Sequence, residues 1–179
     1  MVTLEKMRKQ YEMAELRRKD LLESPSEMFR YWFEKIEDSK NIEANAATLA
    51  TSSKKGKPSS RTVLVKEYDE RGFVFYTNYK SKKGRQIEIN PYGSLTFFWP
   101  EFERQVRIRG KMRKVSRKQS EKYFHSRPRL SQISVLASHQ SETLENREQL
   151  VKKVAKLEKR YEGKEIPLPD YWGGYRLEH

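Results

Sequence analysis

The sequence predicts an α+β protein dominated by a β-barrel with flanking helices, and three observations predict it. The middle of this 179-residue chain carries several consecutive strand-like segments joined by short turns, which favours antiparallel pairing over a doubly wound sheet. Apolar residues recur at helical spacing only before and after that middle. Aromatic residues reach 12%, enough to build a core although hydrophobic and charged residues each make up only 35% and mean hydropathy is -1.00. A chain of this length holds one domain, or a protomer that completes its core by pairing.

Residues 3–22 read as a charged, helix-favouring arm, so residues 1–23 are set apart from a single domain over 24–179. Ser24-Pro25-Ser26-Glu27 then reads as a helix start. Ser24 can cap, Pro25 suits the first helical position and Glu27 completes a capping box. Phe29, Trp32, Phe33 and Ile36 follow on one helical face, and core packing is the reading for them. Segments 46–52 and 59–66 flank a Lys-Lys-Gly-Lys turn and read as a hairpin. Asp69-Glu70-Arg71-Gly72 makes a second turn into a strand over 73–77.

A short helix is expected from Ser81, ending before Asn90-Pro91. Strands over 93–99 and 104–115 follow around Pro100-Glu101, with Val106 and Ile108 alternating with Arg107 and Arg109 as in a half-exposed antiparallel strand. Ser116 with Gln119 resembles another capping box, opening a helix through Tyr123. A longer helix is expected over 144–161, with Leu150, Val154, Leu157 and Tyr161 on one face and Gly163 as its stop. Pro167 and Pro169 break that pattern before Tyr171-Trp172-Gly173-Gly174-Tyr175.

Composition excludes several chemistries. The chain has no cysteine, hence no disulfide and no thiol catalysis. Its three histidines, His125, His139 and His179, do not follow a metal-ligand spacing. No run is long and apolar enough for a membrane helix, and Met1 is followed by charged residues without an apolar signal region. The cytoplasm is therefore the default compartment. A formal net charge of +13 attracts anions, whether nucleic acid, acidic membrane or phosphorylated metabolite.

Residues 104–141 narrow that choice. They run RQVRIRG, KYFHSRPRLSQI and SHQS, packing arginines, a tyrosine, serines and amides into one stretch. Guanidinium groups bind phosphate oxygens in a fixed fork, and hydroxyls fill the remaining acceptors. Tyr123, Phe124, Ile133, Val135 and Leu136 interrupt the charges, so part of the stretch is buried rather than a solvated loop. Upstream, Arg61 and Lys66 bracket an apolar strand in which Arg61, Val63 and Val65 face one way and Thr62, Leu64 and Lys66 the other. Tyr76-Thr77-Asn78 followed by Ser81-Lys82-Lys83 is a strand end running into a helix start, where backbone N–H groups and lysines suit a phosphate.

The order RTVLVK, YTN…SKKG, NP…FFW, ERQVRIRG, YFHSRPRLSQI, SHQS, PDYWGGYR resembles the pyridoxine/pyridoxamine 5′-phosphate oxidases, FMN-dependent enzymes of vitamin B6 metabolism. The resemblance implies a split β-barrel homodimer with FMN at the subunit interface. Arg61, Thr62, Val63, Leu64, Tyr76, Thr77, Lys82, Lys83 and Gln105 would contact FMN, and Gln140 and Ser141 would do so from the partner chain. Lys66, Tyr123, Arg127 and Ser131 would hold the substrate, chiefly by its phosphate. Lys82 stands where the family usually has Arg, which keeps the charge but loses the bidentate fork.

The implied chemistry is oxidation of pyridoxamine or pyridoxine 5′-phosphate at C4′ by hydride transfer to the flavin, giving pyridoxal 5′-phosphate. Oxygen then takes the electrons and hydrogen peroxide is released. No side chain serves as a covalent nucleophile; the protein supplies position and electrostatics. The family continues past WGG into strands carrying FWQG and RLHDR, whereas this chain closes at Arg176-Leu177-Glu178-His179. The resemblance thus implies an active site without those C-terminal strands, and weak turnover as one outcome. A non-catalytic or weakly active flavin- or pyridoxal-phosphate-binding barrel is the alternative. A nucleic-acid-binding protein is a third reading, which lacks any recognised binding motif.

Overall fold

Alternating inward and outward side chains build six strands: β1 (Ala46–Ser52), β2 (Pro58–Asp69), β3 (Gly72–Asn78), β4 (Tyr92–Trp99), β5 (Arg104–Lys114) and β6 (Trp172–Glu178). In the computed structural model they close in the order β1-β2-β3-β6-β5-β4, each pair antiparallel. Five helices flank this barrel among the described residues: α1 (Pro25–Glu37), α2 (Lys82–Ile89), α3 (Arg117–Ser126), α4 (Arg129–Ala137) and α5 (Arg147–Tyr161). The structure describes residues 10–13, 15–39, 43–138, 140–141, 143–144 and 146–179.

The barrel interior is apolar and aromatic. Leu49 faces it from β1, Phe73 and Phe75 from β3, Leu95, Phe97 and Trp99 from β4, and Tyr175 and Leu177 from β6. Helix α1 supplies Phe29, whose ring lies 4.8 Å from Phe73, 5.0 Å from Tyr68 and 5.1 Å from Phe97. Tilted and edge-on arrangements of this kind suit aromatic quadrupoles. The start of α1 is the reciprocal box expected from its sequence. Ser24 Oγ accepts from the Glu27 N–H at 3.1 Å, and the Glu27 carboxylate accepts from the Ser24 N–H at 3.3 Å. Trp99 Nε1 donates to the Ala44 carbonyl at 3.0 Å, so the indole is buried without a stranded donor.

A second apolar cluster lies outside the barrel, where Phe124, Ile133, Ile166, Leu168 and Trp172 join α3, α4 and the segment before β6. Tyr76 and Tyr123 pack against it. Strand β3 therefore separates two cores, with Phe75 on one face and Tyr76 on the other.

The structure departs from the sequence reading in several places. The segment 171–175, to which the sequence reading assigns no element, leads into β6 from Trp172, and β6 seals the barrel between β3 and β5. Its two glycines look adverse to a strand, but side chains there would collide. A Cβ on Gly173 would sit 2.2 Å from Tyr79 Oη, and one on Gly174 would sit 2.9 Å from the Tyr76 ring. Helix α3 runs on to Ser126, and α4 begins after Pro128, whose ring is compatible with a helix start but not a continuation. Helix α5 begins at Arg147, capped by Asn146, instead of at 144.

In β2 the alternation of Arg61, Val63 and Val65 against Thr62 and Leu64 stops at a bulge. Val65 pairs with Phe75 and Glu67 with Val74, so Lys66 is the extra residue. The arm is not a long helix in its described part. It has one 3₁₀ turn over Arg18–Asp20, and the Glu12 and Met13 N–H groups each donate to the Glu103 carboxylate at 2.9 Å. Residues 1–9 and Ala14 of the arm, with His139, lie outside the described residues.

Candidate functional site

Between β2, the end of β3, α2 and the α3–α4 pair lies a cleft of about 770 Å³, within the range that holds cofactors and small substrates. Strand β2 contributes Arg61, Thr62, Val63, Leu64 and the bulged Lys66, and β3 contributes Tyr76 and Thr77. Lys82 and Lys83 enter from the first turn of α2. Tyr123, Arg127 and Ser131 come from the α3–α4 corner, and Gln140 and Ser141 from the segment beyond. Among the described lining residues there are five cations (Arg61, Lys66, Lys82, Lys83 and Arg127) and no carboxylate.

Local structure explains how these cations are held. Ser81 caps α2, its Oγ accepting from the Gly84 N–H at 3.3 Å. Gly84 is required there because a Cβ would meet the Tyr79 carbonyl oxygen at 2.0 Å. The cap presents Lys83 inward, where Nζ donates to Gln140 Oε1 at 2.9 Å, Thr77 Oγ1 at 3.1 Å and Ser81 Oγ at 3.4 Å. All three partners are neutral. Burial, followed by repulsion from Arg61, pushes the Lys83 ammonium down to about 8. Arg61 Nη1 donates to Thr51 Oγ1 at 2.6 Å and to the Ser59 carbonyl at 3.0 Å, and burial lowers its pKa too.

Arg127 terminates α3. Its guanidinium lies over the Trp172 ring, 5.0 Å from the centroid, and Nη1 is buried with no hydrogen-bond partner. Burial lowers its pKa, opposed by Tyr123. A buried charged donor without an acceptor is unfavourable and rare in native proteins, so an incoming anionic oxygen is its natural complement. Beside it Tyr123 stacks on Tyr76 at 3.9 Å and 18°, and Tyr76 stacks on Trp172 at 5.6 Å. Burial holds the Tyr123 phenol above its usual range, so it stays protonated and able to donate.

Every site residue expected from the sequence lines this cleft except Gln105. Gln105 is exposed on β5 opposite Phe98, which is itself exposed. Gln140 and Ser141, which the resemblance assigns to the cofactor from a partner chain, line the cleft within one chain, where Gln140 bonds to Lys83. Sequence reasoning gave no role to Trp172, Asn78, Ser134, Val135 or Ser138, all of which line the cleft. Trp172 stood in the WGG motif without an assigned contact. The Ser134, Val135 and Ser138 positions needed knowledge of α4, which was not expected.

Residues 34–161 match the family model described as pyridoxamine 5′-phosphate oxidase. The chain is 49% identical over 172 residues to the pyridoxine/pyridoxamine 5′-phosphate oxidase of Cytophaga hutchinsonii, covering 96% of this chain and 80% of that one. It is 47% identical over 171 residues to the enzyme of that name from Rubrobacter xylanophilus, covering 96% and 79%. Among solved structures it is similar to PhzG from Burkholderia lata in complex with tetrahydrophenazine-1-carboxylic acid, with TM-score 0.84 and 30% identity over 89% of this chain and 78% of that one. A pyridoxamine 5′-phosphate oxidase-related, FMN binding protein from Nostoc punctiforme shares the fold at TM-score 0.67 and 16% identity, covering 87% and 80%.

Proposed function

The chain belongs to the pyridoxamine 5′-phosphate oxidase family, and on that premise we propose that its cleft binds FMN and oxidises pyridoxamine or pyridoxine 5′-phosphate to pyridoxal 5′-phosphate. The observation that carries this reading is the convergence of five cations in a cleft without a lining carboxylate, including a buried Arg127 donor with nothing to bond. Such an arrangement is electrostatically unfavourable alone and is relieved by phosphate. The reaction needs two phosphates, one on the cofactor and one on the substrate.

Arg61, Lys82 and Lys83, with Thr77, are the groups assigned to the FMN phosphate. The buried Lys83 ammonium and the α2 N-terminus favour the charged ligand there. Lys66, Tyr123, Arg127 and Ser131 are assigned to the substrate phosphate, the Trp172 face keeping the Arg127 guanidinium flat. Anchoring the phosphate end sets where C4′ lies, which is a contribution of orientation. When bound, FMN supplies the hydride acceptor and passes the electrons to O2 with release of H2O2. No side chain is assigned a covalent step. The reading extends to a homodimer in which a second copy brings Gln105 to the cofactor, and to a role in vitamin B6 metabolism in the cytoplasm. Among the described residues no helix is long and apolar enough to cross a membrane.

The test is aerobic incubation with FMN and pyridoxamine 5′-phosphate, following pyridoxal 5′-phosphate and H2O2. Turnover whose kcat/KM falls at least about tenfold in Arg127→Ala supports the oxidase. Bound flavin without turnover would leave a flavin-binding barrel without the oxidase step, and absence of both would overturn the proposal.

A further inference from the structure

A carboxylate stands beside the cation-lined cleft without facing it. Glu67 follows the bulged Lys66, and the bulge decides where it points. In an unbroken antiparallel register, Val65 opposite Phe75 would place Lys66 opposite Val74 and Glu67 opposite Phe73, inside the barrel. The bulge shifts Glu67 to the position opposite Val74, on the outer face shared with Tyr76. There both carboxylate oxygens are engaged. Tyr76 Oη donates to Oε1 at 2.5 Å, and Gln119 Nε2 donates to Oε2 at 2.7 Å. The charge is thereby bound to neutral donors and kept off the cleft lining.

Because the Tyr76 hydroxyl is committed to Glu67, it is the ring of Tyr76 that meets the cleft wall. That ring stacks on Tyr123 at 3.9 Å and on Trp172 at 5.6 Å, and Trp172 carries the Arg127 guanidinium. We propose that Glu67 is a positioning residue for the substrate wall, fixing Tyr76 through its hydroxyl and thereby the faces that hold Tyr123 and Arg127. Gln119 is its second anchor, from α3. This inference rests on the functional reading above and assigns a role to a residue outside the phosphate-binding set.

A competing role, electrostatic repulsion of the substrate phosphate, predicts the opposite sign and so gives a clean test. Wild type, Glu67→Ala, Glu67→Gln and Tyr76→Phe are loaded with FMN. The KM for pyridoxamine 5′-phosphate and kcat are measured, with the affinity for pyridoxal 5′-phosphate from Trp172 quenching. Positioning predicts that Glu67→Ala raises KM and weakens the aldehyde about tenfold, the lower end for loss of one hydrogen bond to a charged group, with kcat nearly unchanged. Glu67→Gln, whose amide oxygen still accepts from Tyr76, restores most of that loss. The double variant Glu67→Ala/Tyr76→Phe is no weaker than Tyr76→Phe alone. A KM that falls in both Glu67 variants, an unchanged KM in Glu67→Ala, or additive effects of the two substitutions would overturn the inference. Wild type that binds no pyridoxal 5′-phosphate would remove the functional reading as well, and the two failures are thus distinguishable.

Discussion

Phe75 and Tyr76 are neighbours in β3 and serve two regions built on opposite terms. Phe75 is fully buried among the aromatic and aliphatic side chains that fill the barrel, where Phe29 from α1 meets rings on three sides. Tyr76 faces the cleft, where cations converge, Lys83 has only neutral partners and a buried Arg127 nitrogen has none. Packing in the first region stabilises the chain with nothing else present. The second region is held in an unfavourable arrangement by the first, and on the proposed function a bound phosphate relieves it. The rigid barrel is therefore the reason the cleft can carry uncompensated charge.

Phe29→Ala is expected to lower unfolding free energy by about 3–5 kcal/mol in denaturant titration, while folded protein still binds flavin. Arg127→Ala is the converse, with substrate phosphate affinity falling by roughly 1.5–3 kcal/mol, the range for a hydrogen bond to a charged group. Its unfolding midpoint stays level or rises, because a buried unpaired donor is removed. A large loss of stability in Arg127→Ala would show that the cleft is ordinary core.

Lys83 gives the cleft a pH dependence. Its ammonium titrates near 8 in the free protein, and a bound phosphate raises that value, so binding above pH 8 takes up a proton. FMN affinity is therefore expected to change little between about pH 7, where the phosphate is already mostly dianionic, and pH 8, and to decline as pH rises further. Lys83→Met should bind about tenfold more weakly, the loss of one charge-assisted contact, and show no such decline. The smallest effect is assigned to Gln105→Ala, about threefold or less on FMN affinity, as for a neutral hydrogen bond. It should appear only at protein concentrations where two copies associate, which analytical ultracentrifugation alongside the titration would check.

Much of the same contrast was readable before the structure. Turn residues and period-two apolar patterns located five of the six strands, because those signals are local. Ser24 and Ser81 announced their helices for the same reason, by capping chemistry written within three residues. The cleft cations were legible through the order of the motifs that carry them, since a lone arginine or lysine at a strand or helix end is ordinarily a solvated surface residue. What escaped depends on contacts distant in sequence. Gly173 and Gly174 make a strand only because Tyr79 and Tyr76 fill the space a side chain would need. The bulge at Lys66, which turns Glu67 toward Tyr76, is a matter of pairing with β3 and leaves no mark in the β2 sequence. Trp172 became a site residue only when β6 was placed beside α3 and α4.

The most direct test of a cleft poised for phosphate is a paired fluorescence titration of the wild-type chain with FMN and with riboflavin, which differ by the phosphate alone. The account predicts that FMN binds at least about a hundredfold more tightly, as expected when charge-assisted hydrogen bonds hold the phosphate. It also predicts that raised salt weakens FMN binding and barely affects riboflavin. Equal affinities for the two flavins would contradict it, and the converging cations would then need another explanation.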